Sequence, residues 1–148
     1  MTSRRIIGWL NLLMGFVLLL VGILHFLMMG HIETFISGQL DLQQNVDNFV
    51  VAIFKVNHIG SGVFVLLLGV ILIYTSGAGL RRGKRWGRNL AALVGLGMLI
   101  LSLILWKSVP KILLEAEAFK IALISLSAVG ILTLLPLLFF WKHFNERQ

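Results

Sequence analysis

The sequence predicts an all-α integral membrane protein: a four-helix up-down bundle in one transmembrane domain over residues 1–148, with an amphipathic outer segment between helices one and two. Three observations predict it. Hydrophobic residues make up 58% of the chain and charged residues 13%, against about 45–50% and about 25% in soluble domains. The apolar residues fall into four runs close to the ~20 residues that a membrane-spanning helix needs. The basic residues lie in short clusters between those runs rather than over a face, the pattern that orients a protein in a bilayer.

The first helix is expected over about 6–29. Arg4 and Arg5 precede it as the basic flank of a signal peptide would. The run is nevertheless too long for a signal h-region, and no small-x-small cleavage site follows it. The second helix has its apolar core over 59–76 and extends N-terminally to about 50. The third is expected over about 86–106 and the fourth over about 119–141. No segment alternates with period two, so a barrel is not expected.

The connections differ in length. Residues 77–85 form a short loop with Gly77, Gly79 and Gly83, which makes helices two and three antiparallel neighbours. Residues 31–54 set Ile32, Phe35, Ile36, Leu40, Leu42, Val46 and Phe49 among polar residues. That reads as an interfacial amphipathic helix or an extension of helix two, with Asp47 placed to cap it. In the connection 107–118, Pro110 occupies a helix-start position.

Orientation follows from Lys and Arg. Arg4, Arg5, Arg81, Arg82, Lys84, Arg85, Arg88, Lys142 and Arg147 fall on one side; Lys55, Lys107, Lys111 and Lys120 fall on the other. The richer side is expected to be cytoplasmic, placing both termini in the cytoplasm and the protein in the cytoplasmic (inner) membrane. Trp9, Trp86 and Trp141 fall at the inner boundary and Trp106 at the outer one, where the indole prefers to sit.

Small residues mark a stripe on each helix: Gly8, Asn11, Gly15, Leu18, Gly22, His25 and Met29 on the first, and Lys55, His58, Gly62, Val65, Gly69, Leu72 and Ser76 on the second. Helix three carries Arg88, Ala91, Gly95, Met98 and Ser102; helix four carries Ser127 and Gly130. Such stripes let helix backbones approach closely in lipid. Helices one and three both carry Asn and Gly near their starts (Asn11 and Gly15; Asn89 and Gly95), too little to indicate duplication.

The stripes also place the chemistry. His25 lies 19 residues after Ile6 and His58 lies 19 residues before Gly77, each roughly 28 Å from the inner boundary at 1.5 Å per residue. His25, His31, Glu33, Lys55, Asn57 and His58 therefore gather at an outer mouth. Three readings apply there. One is a hydrogen-bonded polar cap with Glu33 paired to Lys55. The second is a binding site for a small ligand or lipid headgroup. The third is a metal or haem site on His25 and His58, with His31 and Glu33 as extra ligands. Arg81, Arg82, Lys84, Arg85 and Arg88 form a cluster suited to orientation and to anionic lipid headgroups.

Other chemistry is missing from the sequence. Without cysteine there is no disulfide, thiol or thiolate-metal chemistry. The formal charge of +7 is clustered at helix ends, so nucleic acid is not an expected partner. There is no GxSxG or GxxxxGK[ST] signature, and the helix centres carry no ionisable residue, which disfavours transport of protons or ions.

The stretches RIIGWLNLLMGFVLLLVGILHF (5–26), NHIGSGVFVLLLGVILI (57–73) and GLRRGKRW (79–86) resemble the DoxX-like group of small four-helix bacterial membrane proteins. They cover under half of the chain. The resemblance implies a bundle in the cytoplasmic membrane with an accessory role; some members of that group are associated with quinone-linked redox enzymes. It carries over no active-site residue, and the long polar outer connection departs from the compact form of the group.

The leading expectation is a non-catalytic accessory or scaffold subunit, or a binder of a small apolar ligand or lipid at the outer mouth, with no intrinsic cofactor. Its expected partners are membrane lipids and a homo-oligomer or larger membrane complex. A metal- or haem-binding redox protein and a small oligomeric transporter are the alternatives.

Overall fold

The computed structural model describes residues 3–27, 31, 48–108 and 117–144. Of the expected outer amphipathic segment, residues 32–47 lie outside them, as do the cap at Asp47 and the helix start at Pro110, while residues 48–54 extend helix two N-terminally. Among the described residues are four α-helices: α1 (Ser3–Leu27), α2 (Asn48–Tyr74), α3 (Arg85–Ser108) and α4 (Glu117–Phe139). All four are long and apolar enough to cross a membrane. Their outward residues Leu13, Phe16, Leu20, Leu67, Leu93, Leu103, Ile121 and Leu138 are more than half exposed. A water-soluble monomer does not leave so continuous an apolar surface bare. The protein is a polytopic membrane protein, and this surface is its lipid face.

The bundle is built from two antiparallel pairs, α1 with α2 and α3 with α4. Glycine sets the spacing in each. A Cβ on Gly15 would lie 3.0 Å from the Gly69 carbonyl oxygen, and one on Gly69 would lie 2.9 Å from the Gly15 oxygen. In the second pair, a Cβ on Gly130 would meet the Gly95 oxygen at 3.2 Å and one on Gly95 would meet the Leu134 nitrogen at 3.2 Å. Hydrocarbon gives no hydrophobic drive between helices, so close van der Waals contact of this kind holds each pair.

The two pairs share one internal register. Ile7, Gly8, Asn11, Met14, Gly15, Leu18 and Gly22 are the buried positions of α1. The residues 80 positions later, Gly87, Arg88, Ala91, Val94, Gly95, Met98 and Ser102, are those of α3. Gly62, Gly69, Leu72 and Ser76 are likewise matched 61 positions later by Leu123, Gly130, Thr133 and Leu137, all buried. The chain thus contains a repeat of helix pairs, the parallel kind found in several membrane folds. The sequence concealed it because Asn11 is matched by Ala91 and not by Asn89. The glycine pair Gly15 and Gly95 does fall in register.

Between the pairs the chain turns tightly. After Tyr74, α2 continues as a π-helical turn, Thr75–Gly79, and a 3-10 turn, Leu80–Arg82. The wider turn is supported from inside: the hydroxyls of Thr75 and Ser76 both donate to the Leu72 carbonyl, at 3.0 and 2.6 Å. Gly83, at φ 70°, closes the loop in the left-handed region with its N–H on the Leu80 carbonyl. Gly79 then lies against Gly87, where a Cβ on one would sit 2.5 Å from the Cα of the other. In α4, Pro136 is accommodated without a break, and Phe140 N–H still reaches the Pro136 carbonyl.

Candidate functional site

The two histidines meet as their stripes predict. Their rings stack with centroids 4.7 Å apart and planes inclined by 24°. Gly62, one turn beyond His58, makes the approach feasible, since a Cβ there would lie 3.0 Å from that of His25. His25 Nδ1 bonds the Val21 carbonyl at 2.9 Å, and His58 Nε2 bonds the His25 carbonyl at 2.6 Å. A carbonyl only accepts, so both of these nitrogens carry the proton. The His25 carbonyl lies in the last described turn of α1. His58 therefore bonds the backbone of α1 from the neighbouring helix.

This arrangement bears on metal binding. In neutral rings the remaining lone pairs are on His25 Nε2 and His58 Nδ1. A metal lies in the plane of its imidazole at about 2.0–2.1 Å, and two near-parallel planes this far apart do not converge at such a distance. A metal shared by both would need one ring to turn. Among the described residues no three His, Asp or Glu side chains cluster for a metal ion. Lys55 is half-buried, one turn before His58, while Asn57 and His31 are exposed. Glu33 lies outside the described residues.

The opposite end of the bundle is rich in arginine. The Arg81 side chain crosses α1 at Gly8, where any Cβ would overlap it, and its guanidinium lies 4.3 Å from the centre of the Trp9 ring. Arg4 crosses Gly83 in the same way, with Nη1 2.8 Å from where a Cβ would stand. Arg5, Trp9, Gly77, Arg81 and Arg82 line an open groove of about 370 Å³.

Arg88 departs from the expected headgroup cluster. Arg81, Arg82, Lys84 and Arg85 are exposed, but Arg88 is only 6% exposed. It belongs to the buried stripe of α3 with Ala91 and Gly95. Its guanidinium is stacked 3.6 Å from the centre of the Trp141 ring, and its Nε and Nη2 donate to Asn89 Oδ1 at 2.9 and 2.7 Å. Arginine suits such a place because its flat, delocalised cation stacks on an aromatic face and is weakly hydrated.

Polar groups in the interior were missed by the sequence reading. Thr75 and Thr133 are fully buried alongside the expected Asn11 and Ser76. Asn11 donates from Nδ2 to the Ile7 carbonyl at 3.0 Å, while its Oδ1 and the Thr133 hydroxyl have no partner among the described residues. Thr133 was legible as the middle of a Gly130, Thr133, Leu137 stripe. Ser76 is buried as its stripe predicts, and the π-helical turn keeps Thr75 inside beside it. Ser102 was expected on its stripe; it bonds Ser127, whose own hydroxyl donates to the Leu123 carbonyl at 2.9 Å.

The chain matches no protein-family model, and neither the curated proteins nor the solved structures contain a significant match to it.

Proposed function

We propose that the protein is a non-catalytic scaffold or accessory subunit of the cytoplasmic membrane, with both termini on the cytoplasmic side. The observation that carries this reading is the bond from His58 Nε2 to the His25 carbonyl. The histidines are the residues best suited to chemistry, and here they join α1 to α2 with stacked rings whose planes do not converge on a shared metal. The clean helix centres favour the same reading over transport, because carriers of protons or ions place ionisable groups at mid-membrane. The likeness to DoxX-like proteins is in keeping with an accessory role.

The test pairs metal analysis and an absorption spectrum of the purified protein with native electrophoresis of gently solubilised membranes. A colourless, metal-free protein migrating in an assembly larger than one chain is the expected result. A stoichiometric metal or a haem band that disappears in the His25→Ala/His58→Ala variant would overturn the proposal in favour of a redox protein.

A further inference from the structure

The groove at the arginine-rich end has a composition that packing does not explain. Arg5 and Trp9 come from successive turns of α1, Gly77 from the π-helical turn, and Arg81 and Arg82 from the 3-10 turn. A Cβ on Gly77 would meet nothing within 4 Å. Helix contact therefore does not demand glycine here; what the missing side chain provides is open space in the groove.

Three guanidinium groups line one opening, and the sequence supplies little to neutralise them. Of the six acids, Glu33, Asp41, Asp47, Glu115 and Glu117 belong to the connections at the histidine end or to the start of α4 there, which leaves Glu146. One of the three cations is held in place: Arg81 is laid over Gly8 and against the Trp9 ring. A fixed guanidinium offers paired N–H donors matched to phosphate oxygens, with little side-chain freedom left to lose on binding.

The surroundings indicate where the phosphate comes from. Arg5 and Trp9 begin a line on α1 that continues one to three turns on through Leu13, Phe16 and Leu20, which are 56%, 54% and 59% exposed. The groove thus sits at the head of a strip of lipid-facing side chains, with an indole at the level the interface favours. A soluble anion would use only the head of this site, whereas a phospholipid uses both parts.

We propose that Arg5, Arg81 and Arg82 bind the phosphate of an anionic phospholipid, with Trp9 against its glycerol region and its acyl chains along Leu13, Phe16 and Leu20. The inference goes beyond the scaffold role and does not depend on the histidine end.

The full chain would be reconstituted in vesicles of equal parts phosphatidylcholine and phosphatidylglycerol. After solubilisation, the lipid that stays with the protein would be identified by mass spectrometry. Phosphatidylglycerol is expected to be enriched. Arg82→Gln is expected to lower the enrichment about fivefold, in line with the ~1 kcal/mol a basic residue contributes at an anionic surface. Gly77→Leu keeps every charge but fills the groove, and is expected to abolish the enrichment. Lys84→Gln, exposed and outside the lining, is expected to leave it unchanged.

Equal losses from Lys84→Gln and Arg82→Gln would overturn the proposal, because only general surface attraction would be at work. So would full enrichment in a folded Gly77→Leu variant. If that variant does not fold, Arg5→Gln takes its place, with undiminished enrichment as the overturning result. Calorimetry with inorganic phosphate in lipid-free micelles separates the two sources: a free anion that binds there and displaces the phosphatidylglycerol would sink the lipid assignment.

Discussion

His58 bonds a helix to which it does not belong: its Nε2 donates to the carbonyl of His25 at 2.6 Å, in the last described turn of α1. The bond ties the end of one span to the first turns of the next. His58→Ala should cost about 1 kcal/mol, within the range of interhelical hydrogen bonds in membranes. His25→Ala should cost less, because the accepting carbonyl survives. Reversible unfolding in mixed micelles measures both. Equal losses would mean that the ring stack, not the hydrogen bond, holds the pair.

Glycine at the crossings is a matter of space. Gly69→Leu would drive a side chain into the backbone of α1 at Gly15 and should destabilise by about 1–3 kcal/mol or more. Gly97→Leu should be nearly neutral, since a Cβ there meets nothing within 4 Å. The same unfolding assay compares the two, and similar effects would refute the crossing as the main contact.

At Gly83 the constraint is conformational. Its φ of 70° lies where an L side chain costs about 1–2 kcal/mol, and Arg4 occupies the space a Cβ would take. Gly83→Ala should lower the thermal midpoint. Gly83→Asn should lower it less, because asparagine enters this region more readily.

The buried hydroxyls should separate by whether they have partners. Thr133→Val removes a hydroxyl without a partner among the described residues and should be neutral or stabilising. Ser102→Ala removes a bond to Ser127 and should cost about 0.5–1.5 kcal/mol. Unfolding free energies of the two variants decide this, and a clear loss in Thr133→Val would show that its hydroxyl has a hidden partner.

Much of this architecture was legible in the sequence. Apolar runs located all four helices to within a few residues, and the small-residue stripes were the buried faces. Gly15 and Gly69 could be placed because in lipid little besides close contact selects glycine on a recurring face. The meeting of His25 and His58 followed from equal distances to the inner boundary. Other features depend on three-dimensional detail. The π-helical turn keeps Thr75 buried beside Ser76, a position the small-residue stripe did not include. Arg88 has a place both on the stripe of helix three and in the headgroup cluster, and only Trp141, 53 residues later, decides for the stripe by covering it. The groove joins residues from the beginning of α1 and the end of the second span, so no local motif announces it.

The position of the core has a mechanical consequence. The contiguous buried cluster runs from Ile7, Leu72, Leu80, Leu137 and Phe144 at the arginine-rich end to Leu18, Met98 and Val129 near mid-membrane, and the buried Gly62, Ser102 and Leu123 toward the histidine end are not part of it. Gly79 and Gly87 meet backbone to backbone at the arginine-rich end. Stiffness should therefore be graded along the bilayer normal, as in tongs held firmly at one end and more compliant at the other. Lateral pressure from the membrane should move the histidine end first. Because the chain has no native cysteine, spin labels can be placed cleanly at Leu27 and Ile121 or at Ile6 and Phe139. The first pair should show the broader distance distribution, and equal widths would mean a uniformly rigid bundle.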